Sequence, residues 1–116
     1  MQVAECLFCK IALREIPSEI TYEDDEVIAF KDIQPLAPVH LVIIPKHHLR
    51  SLNDVSPEYE MLIGHLFGVI QRLAAEFGVA ESGYRVVTNT GADGGQVVGH
   101  LHFHLFGGRA LKSKIG

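Results

Sequence analysis

The chain has 116 residues, of which 47% are hydrophobic, and a formal net charge of −4 at pH 7. This length is typical of a single domain, and the hydrophobic content is sufficient for a buried core. The negative charge argues against binding of nucleic acid, which requires a dense basic surface, although a single nucleotide needs only a few donors. Residues 1–5 contain no basic stretch that leads into an apolar run. We therefore expect no secretory signal, no membrane contact and a cytoplasmic location.

The first half of the chain predicts a short helix and three strands. Apolar residues recur at helical spacing over residues 6–14, and Pro17 prevents the helix from continuing. The strands are predicted at residues 19–23, 27–31 and 40–45. A polar turn at Asp24 and Asp25 joins the first two, and a rigid loop with two prolines, at 35–38, precedes the third. The third strand is continuously apolar, which is typical of a strand buried on both faces of a sheet.

The second half predicts one long helix and two strands. Ser56 is placed as its N-cap, Pro57 fits the first helical position, and Gly78 offers a left-handed exit at the other end. The apolar stripe between these ends comprises Leu62, Leu66, Val69, Ile70, Leu73 and Phe77. Strands are predicted at residues 84–90 and 100–106, separated by a glycine-rich loop at 91–99. This order of elements predicts an α+β domain with a largely antiparallel sheet.

Three histidines, His100, His102 and His104, alternate with apolar residues in the last predicted strand. Alternate side chains of a strand share one face, so neighbouring imidazoles start about 6.6 Å apart and the outer two about 13 Å apart. One metal ion with bonds of about 2.1 Å could therefore bind an adjacent pair but not all three. A phosphate group could use one imidazole as a nucleophile and another as a hydrogen-bond donor. The pattern thus favours a phosphate ligand over a metal alone or a chance surface cluster.

The glycine-rich loop directly precedes these histidines. Glycines allow the backbone to approach a ligand closely and to present N–H donors to anionic oxygens. Such a stretch is by itself typical of an ordinary turn. Its position next to the histidines predicts a phosphate contact.

The segment 100–106 matches the His-φ-His-φ-His-φ-φ signature (φ apolar), so the chain resembles the histidine triad (HIT) superfamily. The stretches 93–96 and 107–109 are similar to its Hint branch, the histidine triad nucleotide-binding proteins. Further matching segments cover nearly the whole chain and lie at residues 8–11, 16–17, 29–33, 35, 40–46 and 48. The resemblance implies a single HIT-like domain over 1–116, with a five-stranded, largely antiparallel sheet, one long and one short helix, and a homodimer.

The resemblance also implies a purine nucleotide, AMP, GMP or a derivative, that is bound in a cleft and reacts through a nucleotidyl-histidine intermediate. Matching positions make His102 the nucleophile and His104 a phosphate ligand, while His40 and His100 would support and orient the nucleophile. Asp32 would accept hydrogen bonds from the ribose hydroxyls. The residues that would contact the base, sugar or phosphate are Phe8, Ile11, Phe30, Ile33, Asn89, Gly95, Gln96, Val97 and Val98. Without the motif, the apolar ones would be interpreted as core residues and Asp32 as a turn residue.

Two features depart from the branch that the chain resembles. Val97 stands where many members carry a serine or threonine, whose hydroxyl would assist the leaving group. Residues 110–116 lack the Trp-Pro-Pro ending with which many members reach towards the partner subunit's site. His47 and His65 match no catalytic position, and we expect both at the surface.

Cys6 and Cys9 form a Cys-x-x-Cys pair. In a reducing compartment such a pair predicts a metal or redox site rather than a structural disulfide. In some members of the superfamily a zinc ion is completed by two histidines, which here would be His48 and His100. This would be a closed structural site that the chemistry does not require. Two reduced, half-buried cysteines are the alternative.

The leading functional hypothesis is a hydrolase that cleaves nucleoside 5′-phosphoramidates, with an amine as the leaving group. A dinucleoside polyphosphate hydrolase would use the same nucleophile with a different leaving group. A nucleotide-binding sensor or partner-binding module with incidental turnover is the alternative from another class.

Overall fold

The computed structural model describes residues 6–112, which form a five-stranded sheet with a helix on each face. The helices are α1 (Leu7–Ala12) and α2 (Glu60–Glu76). The strands are β1 (Ile20–Glu23), β2 (Val27–Lys31), β3 (Val39–Pro45), β4 (Tyr84–Val87) and β5 (Phe103–Gly107). Two 3₁₀ turns, Leu52–Asp54 and Pro57–Tyr59, lie between β3 and α2. No helix in this part of the chain is long and apolar enough to cross a membrane.

The strands lie in the order β1-β2-β3-β5-β4, and every neighbouring pair is antiparallel. This arrangement confirms the predicted α+β class and antiparallel sheet. β5 is inserted between β3 and β4, so the last strand of the chain runs through the interior of the sheet. The histidine segment therefore leads into a strand that is held on both sides.

Side-chain alternation along the strands divides the core into two layers. On β3, Leu41 and Ile43 pack in the layer under α2, whereas Val42 packs in the layer under α1. Burial on both sides explains why β3 is continuously apolar, as predicted. On β5, Leu105 lies in the α2 layer, which leaves its neighbour His104 on the α1 face. The side of the sheet that carries His104 is thus the side that the short helix α1 covers.

The last two strands are shorter than predicted. The strand predicted over 100–106 begins only at Phe103, so the sequence-based boundary is wrong. Next to that end the Thr88 hydroxyl donates to the His102 carbonyl at 2.8 Å, so a side chain and not a ladder of backbone pairs joins the two segments there. β4 ends at Val87, three residues before the predicted boundary at 90.

The long helix also begins later than predicted. Ser56 precedes the 3₁₀ turn Pro57–Tyr59, and the regular helix starts at Glu60. At the other end Gly78 has a φ of +74°, which confirms the predicted left-handed exit. The predicted stripe faces the core, with four residues buried and two partly buried: Leu66, Val69, Ile70 and Leu73, then Leu62 and Phe77.

Candidate functional site

A cleft of ≈ 530 Å³ opens on the α1 face of the sheet. Its floor contains Phe8, Ile11 and Phe30, all buried. The Phe8 ring meets Phe30 and His102 edge-on, with centroid separations of 5.5 and 5.0 Å. The predicted site residues that line the cleft are Phe8, Ile11, Phe30, Asp32, Ile33, His40, Val97, Val98, His102 and His104. An apolar floor that leads to imidazoles can accommodate a flat ring joined to an anionic group.

Two residues after β2 form a rim of the cleft. Ile33 is 88% exposed, so it can cover a ligand only from the outside, unlike the three floor residues. Asp32 accepts the Gln34 N–H at Oδ1 (2.8 Å), and its Oδ2 lies 3.5 Å from His40 Nε2. The Asp32 carboxylate remains partly exposed and can still accept hydrogen bonds from hydroxyl groups.

His102 is held in a single tautomer by the backbone. Its Nδ1 lies 2.7 Å from the carbonyl oxygen of His100, and because a carbonyl only accepts, Nδ1 carries the proton. The other nitrogen, Nε2, then has a free lone pair on a ring that lines the cleft. Burial lowers the pKa of His102, which favours the neutral, nucleophilic ring.

A second chain of hydrogen bonds orients His104. The backbone N–H of Leu36 donates to His40 Nδ1 at 3.1 Å, so the proton of His40 lies on Nε2. His40 Nε2 then donates to His104 Nδ1 at 2.9 Å, which places the proton of His104 on its own Nε2. Burial, reinforced by the neighbouring His102 and His40, lowers the pKa of His104 to about 4. His104 therefore presents a neutral N–H donor at neutral pH.

The geometry differs from the sequence-based prediction for two histidines. His40 was expected to orient the nucleophile, but its described ring contacts run to His104, Asp32 and Phe106. His100 contacts His102 through its backbone carbonyl, whereas its buried imidazole points away from the cleft towards Cys6 and Cys9. Residues 100–102 lie outside β5, so the side chains of His100 and His102 need not follow the alternation of the strand.

The glycine-rich loop is held together by its own side chains. Asn89 Nδ2 donates to the Gly94 carbonyl at 2.7 Å, and a Cβ on Gly94 would collide with the Thr90 carbonyl oxygen. Gly95 has a φ of +79°, a conformation that side chains rarely adopt. Asn89, Gly95 and Gln96 lie outside the lining of the cleft, so the structure gives them a place in the loop rather than a direct contact.

Two cysteines and two histidines converge beside the site. Nδ1 of His100 lies 3.2 Å from Cys6 Sγ and 3.5 Å from Cys9 Sγ. Nδ1 of His48 lies 3.3 Å from Cys9 Sγ and 3.2 Å from His100 Nδ1. Tetrahedral zinc bonds imply about 3.4 Å between two nitrogens and about 3.6 Å between nitrogen and sulfur. His100 Nε2 donates to the Pro45 carbonyl at 2.8 Å, which leaves Nδ1 as the lone-pair donor that a metal needs. The four residues fit a tetrahedral metal ion.

Residues 13–111 match the model of the HIT domain. The chain belongs to the HIT domain family. Its sequence is 50% identical over 107 residues to a purine nucleoside phosphoramidase of Escherichia coli, which covers 92% of this chain and 90% of the relative.

Solved HIT structures superpose closely on the chain. A HIT family hydrolase from Clostridium thermocellum has a TM-score of 0.94 at 45% identity, covering 98% of this chain and 99% of that one. A histidine triad protein from Clostridium difficile also has a TM-score of 0.94 at 45% identity, covering 97% and 98%. These likenesses confirm the HIT-like fold and place the chain among hydrolases.

Sequence reasoning missed two residues that support the histidines of this HIT domain. Leu36 acts through its backbone N–H, which no sequence pattern marks. Arg109 was noted only as part of a matching segment, yet its Nη2 donates to the Leu36 carbonyl at 2.8 Å. Arg109 thereby holds the loop that fixes the tautomer of His40.

Acid is expected to destabilise the fold through His104. Its folded-state pKa of about 4 lies below the value of about 6.5 of an exposed histidine, so the unfolded chain binds the proton more tightly. The stabilising contribution is therefore fully present above about pH 6.5 and is lost as the pH falls towards 4. The wild-type chain should lose roughly 2 kcal/mol more than His104→Gln between pH 7.5 and pH 5. Urea unfolding at both pH values measures this difference, and equal losses in the two proteins would contradict it.

Proposed function

We propose that the chain hydrolyses purine nucleoside 5′-phosphoramidates through a covalent nucleotidyl intermediate on His102. The observation that carries this proposal is the 2.7 Å hydrogen bond between His102 Nδ1 and the His100 carbonyl. It leaves an unprotonated Nε2 on a buried ring at the wall of the cleft. The purine nucleoside phosphoramidase at 50% identity supports the same substrate class.

The nucleoside part of the substrate would occupy the apolar side of the cleft. Its base would lie on Phe8, Ile11 and Phe30, with Ile33 as an outer cover. The ribose hydroxyls would donate to Asp32. This places the α-phosphorus next to the histidines, at the polar end of the same cleft.

The reaction would proceed in two displacements at phosphorus. His102 Nε2 attacks the phosphorus and the P–N bond breaks, while the departing nitrogen takes a proton from solvent and leaves as the amine. His104 donates a hydrogen bond from its Nε2–H to a phosphoryl oxygen and stabilises the charge that develops there. Water then attacks the phosphorus of the adduct and returns a proton to solvent, which releases the nucleoside monophosphate and restores His102.

Replacement of His102 by alanine is expected to lower kcat/KM for an adenosine phosphoramidate by at least about a thousandfold, because the nucleophile is removed. The control is His65→Ala, since His65 lies on α2 and pairs with Asp24 outside the cleft. Steady-state turnover with a fluorescent amine measures both variants. Intact mass spectrometry of quenched wild-type protein should show a nucleotidyl adduct on His102. Turnover within about tenfold of wild type in His102→Ala would refute the assignment.

We also propose a structural zinc ion held by Cys6, Cys9, His48 and His100. When bound, it would cross-link α1 to the segments that follow β3 and precede β5 and take no part in the reaction. The donor set, with its fixed His100 tautomer, supports this assignment. The bound zinc ion would also fix the position of His100, whose carbonyl accepts the hydrogen bond from His102.

Protein purified without chelators is expected to contain one zinc per chain. Replacement of Cys9 by serine should abolish the zinc content and lower Tm, because the cross-link is lost. Elemental analysis and thermal unfolding provide the two readouts, with the surface variant Glu26→Gln as the control. Zinc well below one per chain in the wild-type protein would remove the proposal.

We further propose that the protein is a homodimer formed through α2 and the β4 edge. Met61 is 89% exposed on α2, and open space lies over Gly64 and Gly68. β4 ends the sheet, and its Tyr84 is also exposed. Exposed apolar residues on a helix and an open strand edge are both features through which two copies of a chain can pair.

Sedimentation velocity is expected to show a dimer for the wild-type chain and a monomer for Gly68→Arg, since the new side chain would hold the two helices apart. Glu26→Arg introduces the same group at the β1–β2 turn, away from this face, and should remain dimeric. A wild-type monomer at micromolar concentration, or a dimeric Gly68→Arg, would contradict the proposed interface.

A further inference from the structure

A second cleft of ≈ 460 Å³ lies beside the nucleotide cleft. The two clefts share Val97 and Val98 in their linings. The walls of the second cleft include the polar and charged side chains of Arg50, Asp54 and Thr90. None of the roles assigned above uses these three residues.

The side chain of Gln96 fixes the walls of this second cleft relative to one another. Its Nε2 donates to the carbonyl of Arg50 at 2.6 Å and to the carbonyl of Val98 at 2.9 Å. Its Oε1 accepts the N–H of Gly91 at 3.0 Å. One amide thus joins the segment after β3, the glycine-rich loop and the wall shared with the nucleotide cleft. These hydrogen bonds fix the shape of the second cleft, because they join the loops that form its walls.

Arg50 presents an open pair of donors at this cleft. Its Nε lies 3.5 Å from Asp54 Oδ2, and the same oxygen accepts the Arg50 backbone N–H at 2.9 Å. Within residues 6–112, the two terminal nitrogens of the Arg50 guanidinium have no hydrogen-bond or ion-pair partner. The Arg50 side chain is 79% exposed, and Asp54 contacts it at Nε, so the two outer nitrogens remain available to a ligand. Such a fork matches a carboxylate or a phosphate.

The proposed reaction needs a space for its leaving group, and the second cleft adjoins the nucleotide cleft at Val97 and Val98. In a displacement at phosphorus, the leaving group departs on the side opposite to the attacking His102 nitrogen. The nucleoside would fill the apolar side of the first cleft, so the leaving group has to exit at another end. Val97 and Val98 stand at the boundary with the second cleft, and Val97 is 92% exposed and offers no polar barrier.

We propose that the second cleft is the leaving-group subsite and that Arg50 selects amines that carry a carboxylate, as amino acids do. This inference rests on the proposed phosphoramidase function and adds the class of amine to it. A leaving group that ends in phosphate could also bind the Arg50 guanidinium, so the test has to distinguish a carboxylate from a phosphate.

Matched substrates test the subsite. Adenosine 5′-phosphoramidates of glycine, β-alanine and 4-aminobutyrate are each compared with the corresponding carboxamide, which has the same size and no charge. For at least one chain length, wild-type kcat/KM should be about tenfold higher for the carboxylate, the scale of one charge-assisted hydrogen-bonded pair. Arg50→Gln should bring this ratio close to one. Arg72→Gln removes a guanidinium on α2 that contacts Tyr22, and it should keep the wild-type ratio.

A ratio near one in the wild-type protein for all three chain lengths would overturn the subsite. A diadenosine polyphosphate tests the alternative leaving group, which ends in phosphate. If Arg50→Gln lowers kcat/KM for that substrate alone, the choice of a carboxylate is overturned. Hydrolysis of the carboxamide substrates reports on the proposed function separately, because it needs His102 but not the anion. If no phosphoramidate is cleaved, the proposed function fails, and the subsite fails with it.

Discussion

The hydrogen bond from His102 Nδ1 to the His100 carbonyl determines which nitrogen of the His102 ring carries a proton. The proposed attack on phosphorus depends on this contact. An imidazole with its proton on Nε2 would present a donor to the phosphate and could not attack it. The same residue, His100, supplies this carbonyl with its backbone and places its ring among Cys6, Cys9 and His48, the donor set of the proposed zinc site. Its Nε2 donates to the Pro45 carbonyl at the end of β3, so this central strand also fixes the ring of His100.

The sheet separates the stability of the domain from its chemistry. One face carries the apolar layer under α2, which contains fully buried side chains such as Ile43 and Leu105. The opposite face carries the cleft and the histidines under the six-residue helix α1. Period-two alternation allows one strand to contribute to both faces: Leu41 and Leu105 pack in the α2 layer, and their neighbours Val42 and His104 line the cleft. A short helix covers less of the sheet, and this leaves room for a ligand.

Local sequence patterns predicted the class of fold because they reflect local physics, whereas the residues that line the cleft were predicted from the resemblance to the HIT superfamily. Alternation placed His104 opposite Leu105, and the matching motif found the floor residues Phe8 and Phe30. Contacts between residues far apart in the sequence could not be predicted from such patterns. The prediction that all three histidines share one face of a strand is wrong at His100, because the ring of this residue contacts the Pro45 carbonyl and the cysteines instead. The contacts of Leu36 with His40 and Arg109 join segments that are up to 73 residues apart, and no sequence spacing reveals them.

The tautomers of the two cleft histidines test the central claim most directly. Two-dimensional ¹H–¹⁵N NMR of the ring nitrogens, recorded near pH 7.5, distinguishes protonated from unprotonated sites in each imidazole. The account predicts that His102 carries its proton on Nδ1 and that His104 carries its proton on Nε2. A proton on Nε2 of His102, or a doubly protonated ring at this pH, would contradict it.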